Sequence, residues 1–298
     1  MQNVATLIAD PALADLDDED AAAVGDVVSE CGALVDDIRW LDDGIACDVV
    51  FTRPKAMAIR DAVNAAFASA PFDIVIQPRQ GRRKDLLIAD MDSTIISGES
   101  LDELADHAGL RDEVAAITTR AMNGELDFKE ALRERVALLK GLPVSALEDT
   151  AGHVRLNPGA RTLIKTMRAH GAYAVLVSGG FKFFSGRIAT ATGFDADQAN
   201  RLEIIDDRLT GRVIEPILDR NAKLVALKRY AGDRNIPVSE TLAVGDGAND
   251  GPMIEAAGMG VAYHAKPVLR DKAAAIIDHG DLTALLYLQG YSGDEFEG

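Results

Sequence analysis

The chain has 298 residues, 48% of them hydrophobic and 5% aromatic, with 31 Lys and Arg against 48 Asp and Glu for a formal charge of −17. That length and apolar content suffice for two domains of ordinary size. The acidity argues against nonspecific binding to nucleic acid or an anionic membrane, although a metal or a few local cations can still offer a site to an anionic substrate.

In chain order, residues 4–10 (VATLIAD) are expected to be a strand and 17–31 a helix, with two strands at 33–40 and 45–52 around the turn LDDG. PKAMAIRDAVNAAFASA reads as a helix with Pro54 in its first turn, and FDIVIQP as a strand stopped by Pro78. That βαββαβ order fits a ferredoxin-like module over residues 1–80, followed by a basic linker, RQGRRK, at 79–84. DLLIAD (85–90), AYAVLVS (172–178) and TLAVGD (241–246) are short apolar runs between helical patterns, as expected of parallel strands covered on both faces. Each ends in a polar residue, Asp90, Ser178 or Asp246, and open α/β sheets bind ligands beyond the carboxyl ends of their strands. The roughly seventy-five residues between the first two runs have helical period and read as an insertion over the strand ends, a cap. Residues 201–218 alternate around a turn as a hairpin, and the tail YSGDEFEG is expected to be disordered.

Cys31 and Cys47 have neither metal nor redox spacing and read as small buried hydrophobes. The first twenty residues are acidic and lack a basic leader, and no apolar run approaches the ~20 residues of a membrane span, so a cytoplasmic protein without membrane or nucleic-acid partners is expected.

The stretch LLIADMDSTIISGES carries the chemistry. Two carboxylates, Asp90 and Asp92, end a buried-looking strand, where they repel one another unless a metal or a catalytic task compensates. Residues i and i+2 of an extended segment point the same way, so both can face one centre. An EF-hand would need Gly and an acid where Ile95 and Leu101 stand. A second cluster, VGDGANDGPMIEAAG, resembles a dinucleotide-binding turn, but Asp250 replaces its third glycine and Asp246 adds a second charge, which favours metal ligation over pyrophosphate. Asp90, Asp92 and Asp246 together would suit a hard cation, with magnesium as the choice. Ser178-Gly179-Gly180 could supply phosphate donors and Lys223 a fixed positive charge, although alone Lys223 is an ordinary surface lysine and SGGF an ordinary turn.

As a set, DMDST, SGGF, the helix-opening lysine and GDGAND resemble the haloacid dehalogenase-like phosphatases over residues 84–290. The cap sequences ESLDELA and ITTRAMNGELDFKEALRERVALLKGLP, with NPGA and ANRLEI, are similar to those of members acting on phosphoserine. The resemblance implies an α/β fold: a Rossmann-like doubly wound parallel sheet (84–97 and 156–298) with a helical cap insertion (98–155), and an ACT-like α+β module at 1–80. It implies Mg2+-dependent hydrolysis of O-phospho-L-serine to L-serine and phosphate, the last step of serine biosynthesis. Asp90 would be the nucleophile and form a phosphoaspartyl intermediate; Asp92 would be the general acid and base. The Asp90 carboxylate, the Asp92 carbonyl and Asp246 would hold the metal. Ser178, Gly179 and Lys223 would hold the phosphoryl group, Asn249 would contact it, and Asp250 would support Lys223 or the metal. Glu99 would face the substrate ammonium and Arg135 its carboxylate, with Met122 and Phe128 lining the cap; without the resemblance all four read as helix-surface or packing residues. Gly251-Pro252 departs from the larger apolar residue usual there and leaves the local helix start open. Phosphate transfer to another alcohol, such as homoserine, and a non-catalytic amino-acid sensor remain the alternatives. The N-terminal module is left open between regulation, a dimer interface and a vestige, with a homodimer among the expected assemblies.

Overall fold

The computed structural model describes residues 2–52, 57–122 and 125–298. The expected helix start at Pro54 lies outside them. Strands β1 (Gln2–Ala9), β2 (Leu34–Asp42), β3 (Ala46–Thr52) and β4 (Phe72–Pro78) form an antiparallel sheet in the order β2-β3-β1-β4. Helix Asp18–Glu30 starts where the Asp17 carboxylate accepts the amides of Glu19 and Asp20, and it packs against helix Met57–Ala66. Strand β1 is buried on both faces: Ala5, Leu7 and Ala9 join the core under the helices, while Ile8 joins the core of the second unit.

Segment 79–84, expected as a basic linker, is held by specific contacts. Arg82 forms a paired contact with Asp48, Lys84 donates to the carbonyls of Gly81 and Ser239 at 2.8 Å, and Arg83 lies 3.9 Å over the Tyr291 ring. Beside it the Asp73 carboxylate accepts three consecutive amides, from Asp278, His279 and Gly280, at 2.8, 3.1 and 2.9 Å. The tail is ordered too: Phe296 stacks on Tyr287 with 5.0 Å between centroids, and Glu295 pairs with Arg83.

The second unit is built on β5 (Leu86–Ala89), β6 (Tyr173–Phe181), β7 (Ala196–Ile205), β8 (Arg208–Ile214), β9 (Thr241–Gly245), β10 (Met259–Tyr263) and β11 (Ala275–Ile277), in the order β11-β10-β9-β5-β6-β7-β8. All neighbours are parallel except the β7–β8 hairpin. The continuous apolar run of β5 follows from cover on both faces: Leu87 and Ala89 enter one core, Leu86 and Ile88 the other. Strand order turns back at β5, which opens a crevice between the carboxyl ends of β5, β6 and β9. Four helices, Ser100–His107, Arg111–Met122, Phe128–Leu138 and Val144–His153, intervene between β5 and β6, closed off by an Ile96–Leu156 bridge. The hairpin braces them, since the Gly141 amide donates to the Leu209 carbonyl and Arg133 pairs with Glu215. None of the described helices is long and apolar enough to cross a membrane.

Candidate active site

Asp90 follows β5 directly and Asp246 follows β9, so adjacent parallel strands deliver both carboxylates to one place. Ser178 differs from expectation: β6 does not end there but runs on through Gly179 and Gly180 to Phe181. Helix Arg220–Asp233 carries Lys223 in its first turn, and helix Gly251–Ala256 begins at Gly251-Pro252 without disturbing the fold of the preceding Asn249 and Asp250.

At the centre lies Lys223, 2% exposed, with its ammonium 2.6 Å from Asp90 and 2.5 Å from Asp250. Asp90, Asp246 and Asp250 are all buried and can bring one oxygen each within 4.8 Å of the others. Burial alone would lower the proton affinity of Lys223, but Asp250 and Asp90 override it and hold the ammonium charged well above its usual range. Burial and then Asp250 push the Asp90 carboxyl up, while Lys223 opposes them. Burial raises Asp246 as well, against the pull of Lys266, whose ammonium stands 3.4 Å away at the site's mouth. Two carboxylates thus share the buried ammonium, and the third, Asp246, faces only the exposed Lys266 among the described cations, an excess of hard oxygen donors that fits a divalent ion.

Asp92 sits on a turn whose next residue, Ser93, has a left-handed backbone (φ 54°). Three bonds hold that turn: the Ser93 amide to the Gly98 carbonyl, the Ser93 hydroxyl to Glu99 Oε1 at 2.8 Å, and the Asn157 side chain to the Thr94 carbonyl at 2.7 Å. Asp92 Oδ1 accepts the Ser100 amide at 2.8 Å and Oδ2 accepts the Ser178 hydroxyl at 3.0 Å. Burial and the Glu99 charge outweigh those bonds and push Asp92 up to about 6. The Gly180 amide donates to Ser178 Oγ at 2.8 Å, and Asn200 Nδ2 donates to the Gly179 carbonyl at 2.8 Å. Both glycines are needed for closeness: a Cβ on Gly180 would sit 2.9 Å from Asp92 Oδ2, and one on Gly179 would sit 3.3 Å from the Phe128 ring.

These groups open into a cavity of about 550 Å³. Asp90, Asp92, Gly179, Asp246 and Asn249 form its floor; Glu99, Phe128 and Arg135 come from the cap side. Glu99 occupies the N-cap position of helix Ser100–His107 but does not cap it; its carboxylate is turned to Ser93 instead. Arg135 is half-buried, and among the described residues it forms no ion pair; its Nε donates only to the Ala131 carbonyl at 3.3 Å. Met122 ends helix Arg111–Met122, and its side chain lies outside the described residues. Sequence reasoning missed Ser100, Asn157 and Asn200, which lie in motif segments but carry no special spacing of their own, and Lys266, which lies beyond the quoted motifs.

A family model for haloacid dehalogenase-like hydrolases matches residues 87–255. The chain belongs to this family. It is 42% identical over 285 residues to a phosphoserine phosphatase of Streptomyces coelicolor, covering 94% of this chain and 69% of that protein. A phosphoserine phosphatase of Streptococcus thermophilus is 46% identical over 199 residues, 67% of this chain and 93% of that protein. Among solved structures, a probable phosphoserine phosphatase from Vibrio cholerae superposes with a TM-score of 0.78 at 29% identity, covering 98% of this chain and 88% of that one. As a haloacid dehalogenase-like hydrolase, the chain is an enzyme with a buried aspartate cluster at the switch point of a mostly parallel sheet.

Proposed function

We propose that this hydrolase converts O-phospho-L-serine to L-serine and phosphate, with Mg2+ and a phosphoaspartyl intermediate, as the last step of serine biosynthesis in the cytoplasm. The observation that carries the reading is the lining of the cavity, which combines catalytic carboxylates with a further carboxylate and a guanidinium. Asp90 and Asp92 line it together with Glu99 and with Arg135, whose guanidinium forms no ion pair among the described residues. A zwitterionic phosphate monoester matches it: phosphate to the floor, ammonium to Glu99, carboxylate to Arg135. The relatives named phosphoserine phosphatase support the same substrate.

The donor set fits the metal. Asp90, the Asp92 carbonyl and Asp246 would hold Mg2+, with Asp250 supporting, and the bound ion would supply positive charge against the phosphoryl oxygens. An Asp90 oxygen attacks phosphorus as the P–O bond to the seryl oxygen breaks, and Asp92 gives its proton to that leaving oxygen. Asp92, now a carboxylate, takes a proton from water; the water oxygen attacks phosphorus and the Asp90–phosphorus bond breaks. A value near 6 suits both halves of that cycle. Lys223, Ser178 and the Gly179 amide stabilise the charge on the transferring group, with Asn249 beside it. Phe128 would exclude water above Gly179.

The body at 84–97 and 156–298 is read as the phosphatase core, 98–155 as its cap and 1–80 as a ferredoxin-like, ACT-like module. The strand order β2-β3-β1-β4 supports the last. A homodimer would use the edge strand β2, where Leu34 and Ile38 are exposed; sedimentation at two concentrations tests it. Phosphate release from O-phospho-L-serine with and without Mg2+, beside phosphothreonine and a sugar phosphate, tests the function. Fast metal-dependent release from phosphoserine alone supports it. Release only from the others would discard the Glu99 and Arg135 assignments.

A further inference from the structure

Ser100 is 1% exposed, and among the described residues its hydroxyl has no hydrogen-bond partner. Native structures rarely leave a buried hydroxyl unpaired unless something absent completes it. This one lines the substrate cavity, between Glu99 and Leu101. Its amide already holds Asp92 Oδ1 at 2.8 Å, and the hydroxyl lies beside the same carboxylate, toward which it can turn its proton while its acceptor lone pairs meet no donor among the described residues. A hydroxyl carries one donor and two acceptor lone pairs, so it can give its proton to a carboxylate while receiving an N–H.

The ligand's side of the ledger is equally specific. An ammonium presents three N–H donors, and buried donors must all be met. Glu99 stands beside Ser100 in the chain and in the cavity wall, and its Oε1 is already engaged by the Ser93 hydroxyl. One partly engaged carboxylate leaves the ammonium short of acceptors at that wall of the cavity. Resting on the assignment of phosphoserine as substrate, we propose that Ser100 is a further specificity residue whose hydroxyl accepts a hydrogen bond from the substrate ammonium, beside Glu99. The hydroxyl then discriminates between an amino-acid phosphate and the corresponding hydroxy-acid phosphate, whose own hydroxyl offers one donor where the ammonium offers three.

The test uses Ser100→Ala and Ser100→Thr in the full chain with Mg2+, assayed on O-phospho-L-serine, on the analogue with hydroxyl in place of the ammonium, and on p-nitrophenyl phosphate. Ser100→Ala keeps the amide that holds Asp92. Its loss of kcat/KM on phosphoserine is expected to exceed its loss on p-nitrophenyl phosphate by about tenfold and to fall mainly on KM, the scale of one lost hydrogen bond to a charged group. The hydroxy analogue should lose less than phosphoserine, and Ser100→Thr should recover most of the phosphoserine KM. Equal losses on all three substrates would show that Ser100 acts only through Asp92 and overturn the proposal. An unchanged phosphoserine KM would overturn it too. If the unaltered enzyme cleaves p-nitrophenyl phosphate but not phosphoserine, the substrate assignment fails first and takes this inference with it.

Discussion

Replacing Lys223 with methionine removes the one buried cation from between Asp90 and Asp250 while keeping an unbranched apolar chain in its place. Both carboxylates are at most 4% exposed, so neither can turn to water. Breaking a buried ion pair by removing one partner costs about 3–5 kcal/mol, and here one ammonium serves two partners. Urea unfolding without divalent ions at neutral pH should show a loss of that size. The pH dependence has a definite sign. Asp90 is already held above its usual range by burial, and Lys223 is what opposes the rise, so the variant's Asp90 climbs further. A carboxyl raised in the folded state contributes stability that is complete below its unfolded value, near 4, and lost as pH rises through the folded value. The deficit should therefore be small near pH 4 and grow as the pH rises above it. Adding Asp250→Asn should restore part of it, and Mg2+ should as well by taking over the charge compensation. A deficit under about 1 kcal/mol at pH 7, or one that grows on acidification, would refute this account of the site.

Asp90→Asn should abolish turnover on every phosphate ester while circular dichroism stays native; activity near the parent's would mean another nucleophile. Arg135→Ala should cut kcat/KM for phosphoserine at least tenfold more than for p-nitrophenyl phosphate, as expected when a guanidinium–carboxylate bond is lost; equal losses would remove its role as carboxylate clamp. Burial and then the Glu99 charge raise Asp92 to about 6, so Glu99→Gln should shift the pH profile of p-nitrophenyl phosphate turnover to lower pH; an unmoved profile would break that link. Asp73→Ala strands three amides at residues 278–280 and should cost about 1–3 kcal/mol, read as an earlier urea transition; no shift would mean the contact between the units does not depend on it. Gly260→Ala places a Cβ 2.1 Å from the Ile254 carbonyl oxygen and should destabilise by about 1–3 kcal/mol.

The centre of this site was legible because chemistry there departs from what a fold needs. An apolar strand that ends in Asp90 and Asp92, and a turn that carries Asp250 where a phosphate-binding loop needs glycine and Asp246 as a second charge beside it, have no structural motive, so the sequence exposes them. Strands covered on both faces were legible for a related reason: the continuous run Leu86–Ala89 cannot face water on either side. Strands β10 and β11 and helix Val144–His153 escaped, being short or embedded in helical context, and they are fixed by neighbours distant in sequence. A linker and a disordered tail were expected from composition alone, yet Arg82, Lys84 and Glu295 direct their charges to specific partners. Polarity marks a segment that can remain in water; it does not say that no partner awaits it. Ser100 shows the same limit inside the site. A serine after a glutamate at a helix start reads as capping chemistry, and only its burial without a partner reveals a bond left for something else to make. Charges that a fold does not need announce a site in sequence, whereas neutral groups that complete it are recognisable only by what they fail to touch.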